Sequence, residues 1–388
     1  MKFNLSITTK TFLTKSLFAV ISAINKLCNH KPDKVLFYNN VEFKESNKAL
    51  FDYMIENHYN SKYTIICHSS DYKKIKKQKI SNVKFVGLFR CIVNFFSSSK
   101  VFYCIGHLPI NAAKDQEIVQ MWHGTPLKDV DKGSLATHPN GHNYYTKVLS
   151  SSEHFIPMYL RFFNVSKSKV IVGGMPRNEA LYAPSPKYDF GKYNKLIIWT
   201  PTFRKSFRGF YDTADCSNSI IPILTPSDFE SFNELLISIG VKIIVKLHPA
   251  QDLGIFQDCF YSHLKIYKHQ AFIDNGYDLY RLLVQSDALI TDYSSIYFDY
   301  LLLNKPIGFT VDDMDSYSKK RGFVMQNPES YMPGRHISVI EDLKHFCHDV
   351  ASEIDVYREE RIRVNNLAND FKDGLFCKRL LDIVGVSR

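Results

Sequence analysis

Short apolar runs recur along this chain, separated by stretches with polar or helical patterning. In the first half they fall at 35–38, 63–67, 83–86, 101–105, 118–122 and 170–172, and in the second at 196–200, 241–247, 264–267, 288–291 and 307–310. Runs this short and mostly apolar predict strands buried on both faces rather than half-exposed ones. Helix signals lie between them. Ser227 and Glu230 have capping-box spacing, Leu235 and Leu236 supply an apolar face, and Gly240 provides a stop. Strands alternating with helices predict an α/β protein with parallel sheets covered on both faces. A proline- and glycine-bearing seam at 183–194 divides the pattern into domains of 1–185 and 195–388. A second irregular stretch, 205–226, follows a strand end and reads as a lid. Two such halves joined by a short linker predict a ligand in the cleft between them, at the carboxyl ends of strands.

The N-terminal stretch 10–28 has a different pattern. Leu13, Leu17, Val20, Ile21, Ile24 and Leu27 recur at helical spacing, with Lys10, Lys15 and Lys26 among them. Two readings follow: a helix packed on the first domain, or one lying on a membrane surface. No apolar run approaches the roughly 20 residues that a spanning helix needs, and 22–25 is a poor signal-peptidase site.

Composition adds less. The 388 residues carry a formal charge of +10, which favours acidic partners such as nucleotide phosphates, anionic headgroups or a polyanionic polymer without choosing among them. The lysines at 73, 74, 76, 77 and 79 read as a solvated face, or as a contact with anionic lipid. The eight cysteines are scattered without CxxC or zinc spacing, the pattern of reduced, buried thiols in a cytosolic protein. His138 and His142 are four apart, but the intervening proline and glycine argue against a helix and so against a metal site.

Chemistry-bearing residues cluster just beyond predicted strands. The segments are Met121-Trp122-His123-Gly124-Thr125-Pro126-Leu127-Lys128, Gly173-Gly174-Met175-Pro176-Arg177-Asn178, Thr200-Pro201-Thr202-Phe203-Arg204, Lys246-Leu247-His248-Pro249 and Thr291-Asp292-Tyr293-Ser294-Ser295. A lone histidine in such a turn is ordinarily structural. Their shared placement is what points to a site. His123 and His248 fall in different halves, and an imidazole can take a proton from an attacking hydroxyl or donate to a phosphate oxygen. From Tyr293 the pattern predicts a helix ending before Pro306, capped by Ser294 or Ser295, with Thr291, Ser294 and Ser295 offering hydroxyls to a diphosphate. Asp299, one turn on, could accept from ribose hydroxyls or be a solvated helix residue. Arg204, Lys246, Arg177, Lys128 and Arg321 could neutralise phosphates, Arg204 ranking first for its place at a strand end. Walker, GxGxxG and Asp-x-Asp patterns are absent.

Taken together, WHGTPLK (122–128), the Pro176-Arg177-Asn178 turn, TPTFR (200–204), KLHP (246–249) and LITDYSSIYFDYLLLNKPIGF (289–309) resemble the CDP-glycerol glycerophosphotransferase family of teichoic-acid and capsule primases and polymerases. Arg321-Gly322-Phe323 and Pro333-Gly334 resemble its later segments. The resemblance implies a GT-B-like fold, two Rossmann-like parallel-sheet domains facing across a cleft, with the acceptor on the first and the CDP-alditol donor on the second. It implies transfer of an alditol phosphate, glycerol phosphate first, to a hydroxyl of a cell-surface polymer or its lipid-linked primer, with release of CMP. By resemblance His123 is a proposed general base and His248 acts at the donor phosphates. Thr291, Ser294 and Ser295 match the diphosphate-holding segment and Asp299 its acidic position; Gly124, Thr125, Lys128, Arg177, Asn178 and Thr202 fall in the matching motifs. Glu179 stands where an aspartate is common, and Phe203 where tryptophan is. No resident metal or cofactor is implied, although a diphosphate can bring a divalent cation. The expected place is cytoplasmic, peripheral on the anionic inner membrane surface, without nucleic acid. The alternatives are a GT-B glycosyltransferase using a nucleotide sugar and, from another class, a non-catalytic basic protein binding nucleic acid or membrane.

Overall fold

The computed structural model describes residues 7–125, 127–129, 144–184, 187–203, 221–251 and 258–388. Arg204, His138 and His142 lie outside the described residues, as does most of the 205–226 stretch. The chain divides into two compact units. The first comprises residues 1–123, 139–179 and 373–388, and the second 124–138 and 180–372. Each therefore takes up a segment distant in sequence, where the pattern alone suggested a single crossing near 183–194.

The first unit is a seven-stranded, all-parallel sheet. Its strands are β1 (Lys31–Tyr38), β2 (Thr64–His68), β3 (Val83–Phe85), β4 (Ser98–Tyr103), β5 (Glu117–Gln120), β6 (Lys147–Ser150) and β7 (Val170–Val172), in the order β3-β2-β1-β4-β5-β6-β7. Strands buried on both faces explain the apolar runs: Val35, Leu36, Phe37, Val101, Phe102 and Ile118 expose nothing. Aromatic rings fill the core, with Phe37 stacked on Phe102 and edge-on to Phe43 and Phe51. The C-terminal helix Phe376–Ile383 belongs here, and its Cys377 amide donates to Glu179.

The second sheet also has seven strands: β8 (Lys195–Trp199), β9 (Val241–Lys246), β10 (Cys259–Phe260), β11 (Leu264–Tyr267), β12 (Ala288–Thr291), β13 (Ile307–Thr310) and β14 (Arg335–Ile337). Their order is β10-β11-β9-β8-β12-β13-β14, parallel except for the short antiparallel edge strand β10. Ile197, Trp199, Ile243, Val245 and Ile290 form its buried centre with the helix Phe229–Ser238. The capping box is Thr225 with Asp228, on the 3-10 turn Pro226–Asp228 leading into that helix, rather than Ser227 with Glu230. Gly240 ends the helix in the left-handed region, where an added Cβ would meet the Asn194 side chain at 2.5 Å.

Over its described side chains, 16–27, the helix Ile7–Leu27 is inverted relative to an ordinary amphipathic one. Ser22 and Asn25 are buried, whereas Leu17, Val20, Ile24 and Leu27 are exposed, Leu27 at 88%. Polar chemistry holds it to the first unit. The Asn25 amide donates to Gln116 Oε1 (2.6 Å) and to the Asn111 carbonyl, and His30 bridges Asp115 and Asn25. Gln116 in turn donates to the Phe95 and Ser98 carbonyls and accepts from the Ala113 amide. A buried polar group left without its partner costs about 1–3 kcal/mol. Gln116→Leu strands several at once and should lower the melting temperature by at least about 5 °C, whereas Leu17→Gln on the exposed face should leave it within about 1 °C. Thermal unfolding of the two variants beside the parent checks this.

Candidate functional site

At the carboxyl edge of the second sheet three neighbouring strands deliver three of the motifs. Lys246-Leu247-His248-Pro249 follows β9, Thr200-Pro201-Thr202-Phe203 follows β8, and Asp292-Tyr293-Ser294-Ser295 follows β12. The chain leaves β8 toward β9 on one side and later returns as β12 on the other. The edge between β8 and β12 is therefore a topological switch point, where loops diverge and leave room for a ligand.

Hydrogen bonds tie these loops together. Asp292, with no exposed surface, accepts from the Thr202 amide (2.8 Å) and hydroxyl (2.7 Å) through Oδ2. The Thr200 amide donates to the Ile290 carbonyl, and the Thr291 hydroxyl donates to the Thr200 carbonyl at 2.9 Å. Tyr293 donates to Asp313 at the start of the helix Met314–Lys320. Thr291, which the sequence offered as a diphosphate donor, is buried, and its hydroxyl is engaged with the Thr200 carbonyl. Asp299 is corrected likewise. It is buried and accepts from the Tyr280 hydroxyl at 2.7 Å, so the expected access to ribose hydroxyls is not present.

Ser294 and Ser295 are half-buried, and among the described residues neither hydroxyl is hydrogen-bonded. The helix that follows is shorter than the pattern predicts. Ile296–Tyr300 is α-helical, Leu301–Leu303 is a 3-10 turn, and Asn304 closes it in a left-handed conformation before Pro306. Ser295 occupies the N-cap position without a side-chain capping bond. So short a helix contributes little dipole, and what this segment offers an anion is first-turn amides and two hydroxyls.

His248 has a defined tautomer. Its Nδ1 accepts the Ala250 amide at 3.0 Å, which places the proton of the neutral ring on Nε2. Phe203 packs on the ring at 4.9 Å between centroids. The Lys246 ammonium lies over the Phe272 ring. Lys128 lies over Tyr317, in a segment where it bridges antiparallel to Phe323, with the Asp129 amide on the Gly322 carbonyl. Arg321, half-buried, caps the helix Met314–Lys320 and joins this same corner. Gly124 and Thr125, both buried, begin the stretch of chain that belongs to the second unit.

In the first unit, His123 follows β5 on a turn held at three points. Trp122 has φ +59°, a conformation costly for a residue with a Cβ. Its amide donates to Gln120 Oε1 (3.0 Å), and its carbonyl accepts from the Cys104 thiol (3.0 Å). The His123 carbonyl accepts from Arg177 Nη1 at 2.8 Å. Gln120, Cys104 and Arg177 are all buried, while the His123 ring is exposed. A rigid backbone thus presents a solvent-open imidazole, the arrangement a proton acceptor needs. Burial pushes the Cys104 thiol up to about 12, so it stays a donor.

Arg177 does not stand open for phosphate, as its type suggested. It is 7% exposed and pairs with Glu45 at 2.7 Å. Asn178 beside it is also buried. Glu45 carried no signal in the sequence beyond being an acidic residue at a helix start. Asp292 carried one that went unused, a carboxylate directly after a strand. Among the described residues no three His, Cys, Asp or Glu side chains gather as a metal site.

The fold and sequence have relatives. The wall teichoic acid polymerase TagF superposes with a TM-score of 0.71 at 20% identity, covering 99% of this chain and 98% of that one. A putative UDP-N-acetylglucosamine 2-epimerase from Listeria monocytogenes gives 0.55 at 14% identity, over 92% and 96%. Among curated proteins, the teichoic acid poly(ribitol-phosphate) polymerase of Bacillus spizizenii is 26% identical over 90% of this chain, which spans only 58% of that protein. The teichoic acid ribitol-phosphate primase of the same species is 23% identical over 97% of each, and the teichoic acid glycerol-phosphate primase of Bacillus subtilis 24% identical over 89% and 90%. The family described as CDP-glycerol:poly(glycerophosphate) glycerophosphotransferase matches residues 20–385. The chain belongs to that family.

Proposed function

We propose that this protein transfers an alditol phosphate from a CDP-alditol to a hydroxyl of a cell-surface polymer or its lipid-linked primer, releasing CMP. The observation that carries the reading is the switch point of the second sheet, where the hydroxyls of Ser294 and Ser295 lie beyond β12 and a histidine with its proton on Nε2 follows β9. That set suits a diphosphate: neutral donors for its oxygens, with Lys246 adding positive charge. The teichoic acid relatives support the same chemistry.

In the proposed step His123 takes the proton of the acceptor hydroxyl. The acceptor oxygen forms a bond to the alditol-bearing phosphorus as the bond from that phosphorus to the bridging oxygen breaks. The electron pair leaves on CMP, where His248 Nε2–H donates to the growing negative charge. Any divalent cation arrives in this reading with the diphosphate rather than residing in the protein. Replacing His123 or His248 by alanine should each lower CMP release by at least about 100-fold. Release of the matching nucleotide, CMP from CDP-glycerol, CDP-ribitol or CMP-sialic acid and UDP from UDP-sugars, should show turnover with a CDP-alditol alone. Turnover with a nucleotide sugar instead would make the chain a glycosyltransferase.

The same reading places the protein on an anionic membrane surface. The first unit exposes Leu17, Val20, Ile24 and Leu27 on one helix and Leu88, Phe89 and Val93 on another, and the lysines at 73, 74, 76, 77 and 79 are all exposed. Exposed apolar side chains and exposed lysines on one unit suit insertion at the headgroup boundary, where acyl contact and charge act together. No described helix is long and apolar enough to cross a membrane. Flotation with vesicles containing about 30% anionic lipid should carry the parent protein upward. The double variant Leu17→Gln, Ile24→Gln should lose most of that binding while keeping CMP release with a soluble acceptor.

A further inference from the structure

The pair Glu45–Arg177 sits behind His123, and nothing in the reaction chemistry requires it. Glu45 opens the helix Glu45–Glu56, which follows β1, while Arg177 comes from the 3-10 turn Pro176–Leu181 beyond β7. The two meet at 2.7 Å, and the same guanidinium nitrogen donates to the His123 carbonyl at 2.8 Å. Glu45 has φ +59°, as does Trp122 next to His123. Two residues bearing a Cβ are therefore held in the left-handed region around one exposed imidazole. Such conformations persist only where surrounding contacts over-determine them, and they cluster at working sites.

We infer that Glu45 is a positioning residue: by fixing and neutralising Arg177 it anchors the turn that carries His123 and sets how readily that ring takes a proton. The inference rests on the reading of His123 as the proton acceptor. Charge supports it. Burial opposes ionisation of Glu45, yet Arg177, with smaller contributions from His123 and Lys44, holds its carboxyl below the usual carboxylate range. The titratable and charged groups facing the carboxylate are Arg177, His123, Lys44 and the Cys104 thiol, and the thiol is kept protonated by burial first and by Glu45 next. In the intact protein the guanidinium and the carboxylate act on the ring with opposite signs. Removing either one leaves the other unbalanced.

The two halves of the pair therefore have opposite signatures. Glu45→Gln leaves Arg177 uncompensated, disfavours the imidazolium and should lower the His123 ring pKa by about one unit. Arg177→Met leaves the carboxylate uncompensated and should raise it by a similar amount. The double variant should return close to the parent value. Glu45→Asp, which keeps the charge but shortens the reach, should leave the titration near the parent value while lowering kcat. The ring is followed by NMR in full-length protein carrying ¹³C-labelled histidine, with the His123 signal identified by its loss in His123→Ala. Thermal unfolding confirms that each variant is folded, and Arg177→Gln, which also removes the positive charge, serves should Arg177→Met fail to fold. A His123 titration that stays put in both single variants, or moves the same way in both, overturns the inference. The acid limb of CMP release against pH is measured in parallel. It should move to lower pH in Glu45→Gln, because a weaker base protonates later as pH falls. Ring titrations that move as stated beside an unmoved acid limb would uphold the coupling and remove His123 as the proton acceptor.

Discussion

Asp292 is a carboxylate with no exposed surface, and it is tied through one oxygen to both the amide and the hydroxyl of Thr202. Placing an ionisable group so deep is costly unless donors surround it, and the second sheet supplies them where two of its loops meet. The result is a cross-link between the segments after β8 and β12 at the point where the strand order changes direction. Thr200 and Thr291 repeat the link one layer below. With both loops fixed by buried bonds, Ser294 and Ser295 follow β12 at the sheet edge, and among the described residues their hydroxyls are not hydrogen-bonded. On the proposed reading, a diphosphate entering there would meet donors already in place, which would lower the reorganisation that binding and phosphoryl transfer require.

The first unit applies the same device to a single residue. His123 has an exposed ring on a backbone that buried neighbours hold by Trp122's amide, Trp122's carbonyl and its own carbonyl. Strain in the turn is offset by packing, since Trp122 lies edge-on to Phe163 within the aromatic core. Sequence motifs of this kind join two requirements in one string of residues. Part of the string braces the backbone, and the remainder is left exposed, where the proposed function places the substrate.

That division explains what could be read from residues alone. The strands from 35–38 to 307–310 were legible because doubly buried parallel strands are rich in apolar residues, even where a lysine or glutamine interrupts them. Lys147–Ser150 and Arg335–Ile337 escaped notice because each keeps only one or two apolar residues between polar ones. The motif histidines were legible by their place after strands. The roles of Thr291, Asp299 and Arg177 were not, since a threonine, an aspartate or an arginine looks the same whether it faces solvent or a buried partner. Arg177 finds Glu45 from 132 residues away, and no local pattern announces such a pair. The helix Phe376–Ile383 joins the first unit for the same reason: its partner Glu179 is 198 residues earlier.

The central claim is that the donor diphosphate is held at the switch point of the second sheet. A crystal structure of the protein with CDP-glycerol tests it most directly. The account predicts the diphosphate oxygens within about 3.2 Å of the Ser294 and Ser295 donors and of His248 Nε2, typical hydrogen-bond reach, with the Thr202–Asp292 link intact. A diphosphate bound in full at any other place, with Ser294, Ser295 and His248 left untouched, would contradict it.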